Sequence, residues 1–144
     1  MSERSRFTQI PGTNSMSAAV ASQTGGGSTA YDVVFPNEWE ASVVVNGAYY
    51  VPNSAVTASR TDNFAIQLIN VGAAGIGTTA VTSALTINLT QGNLVALKPV
   101  ALTVSTTAAN LVVASGSVLV LKKTENGSGL TMPAGKVVVT YQFV

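Results

Sequence analysis

Beyond residue 30, apolar and polar positions alternate with a period of two over much of this chain, the pattern of half-buried antiparallel strands. In residues 85–90, Leu85, Ile87 and Leu89 fall on one face and Thr86, Asn88 and Thr90 on the other. Phe64, Ile66 and Leu68 alternate with Ala65 and Gln67, Leu102 and Val104 with Thr103 and Ser105, and Val137, Val139, Tyr141 and Phe143 with Lys136, Thr140 and Gln142. Such runs predict about eight strands: 31–35, 41–51 with a turn at Asn46-Gly47, 54–59, 63–70, 83–90, 100–105, 111–121 with a turn at Ser115-Gly116, and 136–143. Asn46-Gly47 is the strongest hairpin signal, because a type I′ turn needs positive φ at both central residues. Residues 111–144, strand-like runs cut by glycine turns, read as a β-meander closing the fold. No segment longer than about ten residues carries a helical period. The predicted class is all-β, an antiparallel β-sandwich of jelly-roll-like form, and a Greek-key barrel fits the same pattern.

Two runs break the alternation. Val43-Val44-Val45 and Val118-Leu119-Val120-Leu121 are apolar on both faces, and a two-layer sandwich is expected to have nothing of its own to cover an outer face. Val44, Val118 and Val120 are therefore candidate contacts with another subunit. Residues 1–30 are rich in Ser, Thr, Ala and Gly, include Gly25-Gly26-Gly27, and show no strand or helix period. They read as a flexible or assembly arm preceding a 31–144 sandwich domain. Phe7 and Ile10 are the arm's candidate contacts.

Composition narrows the function. The 144 residues are 47% hydrophobic but only 9% charged, against about a quarter charged in ordinary soluble domains. Neutral polar residues leave little charge repulsion between neighbouring copies, which suits burial in an assembly. A net charge of +1, with Lys122-Lys123 the only adjacent basic pair, offers no footprint for nucleic acid. No window approaches the roughly 18 uninterrupted apolar residues of a membrane helix. Absence of cysteine and histidine excludes disulfides, Cys/His zinc sites and histidine-based triads. Phe7-Thr-Gln-Ile-Pro-Gly follows the charged first six residues where a signal peptide would have its apolar stretch. Synthesis in a cytoplasm is the expectation, and the sequons at Asn88 and Asn126 then read as chance.

Candidate chemistry is sparse. Gly72-Ala-Ala-Gly-Ile-Gly77-Thr-Thr79 has the glycine spacing of a phosphate loop, but Thr78 stands where the lysine belongs and no helix is predicted to follow. An inter-strand loop, able to contact a neighbour through its backbone, is the expectation. Glu38 and Glu40 flank Trp39 and would share a strand face, the placement of a glycosidase pair, yet nothing nearby separates their environments. Six acids spread along the chain supply no calcium loop. Tyr31, Phe35, Trp39, Tyr49 and Tyr50 gather five of the aromatics within twenty residues. They read as core or subunit contact, with a sugar platform of Trp39, Tyr49 and Tyr50 as the alternative.

The run Asn70-Val-Gly-Ala-Ala-Gly-Ile-Gly-Thr-Thr79, the strand Leu102-Thr-Val-Ser, and Gly116-Ser-Val-Leu-Val-Leu-Lys-Lys-Thr-Glu-Asn-Gly-Ser-Gly-Leu-Thr-Met-Pro-Ala-Gly-Lys-Val-Val-Val139 together resemble the small all-β capsid decoration, or cement, and head-fibre proteins of tailed bacteriophages. The likeness covers roughly residues 62–144, and the aromatic segment 31–50 departs from it. The resemblance implies a non-enzymatic protein on the capsid exterior of a virion assembled in the host cytoplasm. Its partners would be the major capsid protein and copies of itself, as a trimer, with a terminal arm reaching to neighbours. It implies no catalytic residue, cofactor, metal, nucleic acid, membrane or small-molecule substrate. A receptor- or glycan-binding fibre module is the rival role.

Overall fold

The computed structural model describes residues 12–24 and 29–144. Ten strands follow one another along the described residues: β1 (Asn14–Val20), β2 (Thr29–Pro36), β3 (Val43–Pro52), β4 (Asn63–Gly72), β5 (Thr79–Ala80), β6 (Leu85–Thr86), β7 (Val100–Leu102), β8 (Val112–Val113), β9 (Val118–Asn126) and β10 (Gly135–Phe143). They form two antiparallel sheets. The first has the order β1-β10-β3-β7, with β8 sharing the lane beside β3; the second runs β2-β9-β4-β5, with β6 sharing the lane beside β4. The first and last of these strands pair with each other, and the other successive strands cross between layers except within β4–β6 and β7–β8. This is the connectivity of a jelly-roll sandwich.

The core forms where the two inner faces meet. Val43, Val45, Tyr50, Val137 and Val139 come from the first sheet, and Phe64, Ile66, Leu68, Leu119 and Leu121 from the second; all are buried. Full burial of each such side chain contributes about 1.5–3 kcal/mol. At one end Trp39 packs 5.4 Å from Tyr141 and 5.2 Å from Phe143, and Phe35 meets Tyr141 edge-on at 5.0 Å. Asn37 holds this corner, its Nδ2 donating to the carbonyls of Val113 at 2.9 Å and Ala41 at 3.1 Å. Gly135 is required by close approach: a Cβ there would lie 2.1 Å from the Val51 carbonyl oxygen.

Several expectations change. Asn46-Gly47 is no hairpin turn but a bulge inside β3, where the pairing slips between Thr140 and Tyr141. The cause is visible in the burial phase, since Val43 and Val45 face inward before the bulge and Ala48 and Tyr50 after it. One extra residue brings two out-of-phase halves onto one face. The 83–90 strand shrinks to β6, because Asn88 Oδ1 accepts from the N–H groups of Thr90 and Gln91 and turns the chain, leaving Ile87 buried and Leu89 exposed. Within 54–59 only Val56 pairs, bridging to Leu94. The 111–144 region is not a meander, for β8, β9 and β10 alternate between sheets. Residues 14–20, expected within an arm, form β1 along β10, with Met16, Ala18 and Val20 turned inward.

Candidate interaction surface

The second sheet presents an apolar outer face. Register sets Tyr31 beside Lys122 and Val33 beside Val120 across β2 and β9, and Ile69 beside Val120 across β9 and β4. Their neighbours Leu121 and Leu119 point into the core, so Tyr31, Val33, Val120 and Ile69 point out. Tyr31 and Val33 are 58% and 59% exposed, whereas Val120 is 6% exposed. What covers Val120 belongs to this same chain.

The β4–β5 connection borders the same face. Gly72 and Gly75 adopt φ values of +70° and +76°, which an L side chain resists. Gly77 closes the loop by donating its N–H to the Val71 carbonyl at 2.8 Å, and a Cβ there would stand 2.9 Å from the Asn70 carbonyl oxygen. Glycine is thus demanded by the turn itself rather than by a phosphate, and strand β5, not a helix, follows. Residues 75–78 of this loop, with Tyr31, Ile69, Val71, Val120 and Lys122, line a groove of about 680 Å³. Ile76 stands on its rim, 84% exposed. A smaller groove of about 290 Å³ shares Gln67 and Ala80 with it and is lined by Thr82, Ser83, Thr103 and Ser105. Gln67 Nε2 is fixed by donating to the Thr82 carbonyl at 2.9 Å.

The residues singled out by sequence do not meet at one place. Val118 and Val120 lie on this outer face, while Val44 pairs with Gln142 and Val112 on the outer face of the opposite sheet. Phe7 and Ile10 lie outside the described residues. Trp39 belongs to the aromatic corner, Tyr49 faces outward beside Val138 and Ala101, and Tyr50 is fully buried with its hydroxyl donating to the Pro133 carbonyl. Burial raises the Tyr50 pKa well above the usual phenol value. Tyr50 therefore offers no ring to a sugar, and the three-residue platform is not assembled. Glu38 and Glu40 sit in the exposed β2–β3 connection rather than on a strand.

The sequence names Tyr31 as core or subunit contact, and nothing in the alternation singles out Val33 or Ile76. A charged residue such as Asp32 ordinarily marks the solvent side of a strand, but β2 is turned the other way. Asp32 faces inward and meets Lys123 Nζ at 2.9 Å, so the Lys122-Lys123 pair is split between the outer face and the interior. Val95 and Leu97 on the β6–β7 connection are a second exposed apolar pair; Leu97 has a φ of +63°, with its N–H bonded to the Pro52 carbonyl at 2.8 Å. Among the described residues no group of three His, Cys, Asp or Glu is placed to hold a metal ion.

No protein-family model and no curated protein matches the chain. Among solved structures, the infectious bursal disease virus VP2 subviral particle is 13% identical, with a TM-score of 0.41, over 91% of this chain and 33% of that one. The structures of the Gx and Gt strains of that virus give TM-scores of 0.42 at 11% and 14% identity, over 90% and 94% of this chain. The chain spans about a third of the length of the chains it matches. At this level of likeness the jelly-roll assignment stands on the strand pairing of this chain alone.

Proposed function

We propose that the chain is a non-enzymatic structural protein of a virion, a decoration or cement subunit that attaches to the outer surface of a phage major capsid protein shell and stabilises it. The observation that carries this reading is the apolar outer face of the second sheet, where Tyr31, Val33 and Ile76 stand exposed around a groove on a chain with little charge. Covering one such aliphatic side chain fully contributes about 1.5–3 kcal/mol. A standard interface buries about 1,600 Å² in total, so the patch forms its centre and the neutral polar residues around it the rim. Val120 floors the groove and Val118 continues the same face. Val44, on the opposite sheet, is assigned to contact with a neighbouring copy in a trimer, and Phe7 and Ile10 to the arm. The site of action is the capsid exterior, after assembly in the host cytoplasm.

The test is to add purified protein to capsids that lack it and image the shells, with Val33→Asp and Ile76→Asp run beside it. Ordered density at saturating wild-type protein, lost or weakened at least tenfold in both variants, is expected. Absence of density for the wild type sinks the cement reading. Equal occupancy by both variants removes the second-sheet face as the contact.

A further inference from the structure

The inner face of the second sheet turns polar towards one end. Register places Lys123 between Ala30 and Ile66, Asp32 beside Leu121, and Glu125 opposite Phe64. One lysine and two carboxyls thus share a surface otherwise made of Leu121, Ile66 and Phe64. The Lys123 side chain is 4% exposed and that of Asp32 23%, with Nζ 2.9 Å from Oδ2. Both hold the same backbone unit: Lys123 Nζ donates to the Ala21 carbonyl at 3.2 Å, and Asp32 Oδ2 accepts from the Ala21 N–H at 3.0 Å.

Among the described residues Nζ, which carries three protons as an ammonium, donates to two acceptors, Asp32 Oδ2 and the Ala21 carbonyl. An amide joining Nζ to Asp32 Cγ fits the same surroundings without remainder, its single N–H donating to the Ala21 carbonyl and its oxygen accepting from the Ala21 N–H. It also removes two charges whose burial is unfavourable. The short Nζ to Oδ2 contact holds amine and carboxyl close to a near-attack arrangement, the condition under which intramolecular reactions gain most.

We infer that Lys123 and Asp32 become joined by an isopeptide bond that ties β9 to β2 and fastens the β1–β2 connection at Ala21. A proton passes from the ammonium to the other carboxylate oxygen, Oδ1, leaving an amine and a carboxylic acid whose Oδ2 still accepts from the Ala21 N–H. The Nζ lone pair forms the N–C bond at Cγ. A second Nζ proton then passes to the Cγ hydroxyl. The C–O bond then breaks and water departs on the exposed side of Asp32. Ammonium plus carboxylate gives amide plus water, with no oxidant or cofactor.

The experiment is intact-mass measurement of the purified full chain under denaturing conditions, after prolonged incubation in the folded state, followed by tryptic digestion and fragmentation. The expected mass is one water below that of the sequence, with a branched peptide joining the Asp32 and Lys123 segments and no cleavage after Lys123. Lys123→Arg is expected at its full sequence mass. A wild-type chain at full sequence mass with ordinary cleavage after Lys123 overturns the proposal. So does the same water loss in Lys123→Arg.

Discussion

The outer faces of the two sheets are built from similar residues and end in different states. On the first sheet, Val44, Tyr49, Val51 and Val138 lie among Ser15, Ser17, Lys136, Thr140 and Gln142, each apolar side chain half-covered by cross-strand neighbours. On the second, Val120 and Ile69 are buried beneath their own surroundings, while Tyr31, Val33 and Ile76 stand out. An apolar residue pointing away from the core is therefore no guide to an interface by itself. What separates the two faces is the glycine-rich β4–β5 loop, which turns a flat sheet surface into a groove with a rim.

Substitution breaks this comparison most sharply at its centre. Val120→Asp puts a charge under the groove and is expected to cost about 3–5 kcal/mol, read from the urea midpoint. If Val120→Asp costs as little as an exposed substitution, the groove floor is not covered as described. Gly135→Ala tests whether the first sheet owes its order to its interior spacing. Its Cβ collides with the Val51 carbonyl, and a loss of about 3 kcal/mol is expected from overpacking; an unchanged thermal midpoint would contradict that contact.

Tyr50→Phe removes a buried donor from the Pro133 carbonyl, for a loss of about 1–2 kcal/mol. It also changes the alkaline limb. The phenol holds its proton more tightly folded than unfolded, because burial raises its pKa, so its contribution is fully present below about pH 10 and is lost as pH rises above that value. The variant's stability should therefore fall less steeply above pH 10, and parallel curves would count against a titrating Tyr50. Val44→Asp, on the half-covered face, completes the series at under about 1 kcal/mol. A larger loss there would make the two faces alike after all.

The strands most legible in the sequence were those with long inward-facing apolar sets and partners on both sides. β4 and β10 occupy 63–72 and 135–143, close to the predicted 63–70 and 136–143. β1 escaped because its inward set, Met16, Ala18 and Val20, alternates with Ser15, Ser17 and Ala19, so small residues blur the contrast. The Asn46-Gly47 signal pointed to a turn, but β3 pairs along both edges, and the ladder bonds of a central strand outweigh a local turn preference. The groove was harder to see. It depends on three segments, around Tyr31, 67–80 and 120–122, and on an inverted β2 whose half-buried Asp32 is paired with a lysine ninety-one positions away.

The place of β10 carries a consequence for how the molecule is made. It lies between β1 and β3, yet it is the last strand of the described chain to leave the ribosome, long after Pro52 completes β3. At roughly 5–20 residues per second, β1 and β3 wait several seconds with their β10-facing edges unpaired, edges that attract other chains. Crowded polysomes and high expression temperature should therefore divert this protein into aggregates before its last strand arrives, while mature molecules remain untouched by the same conditions.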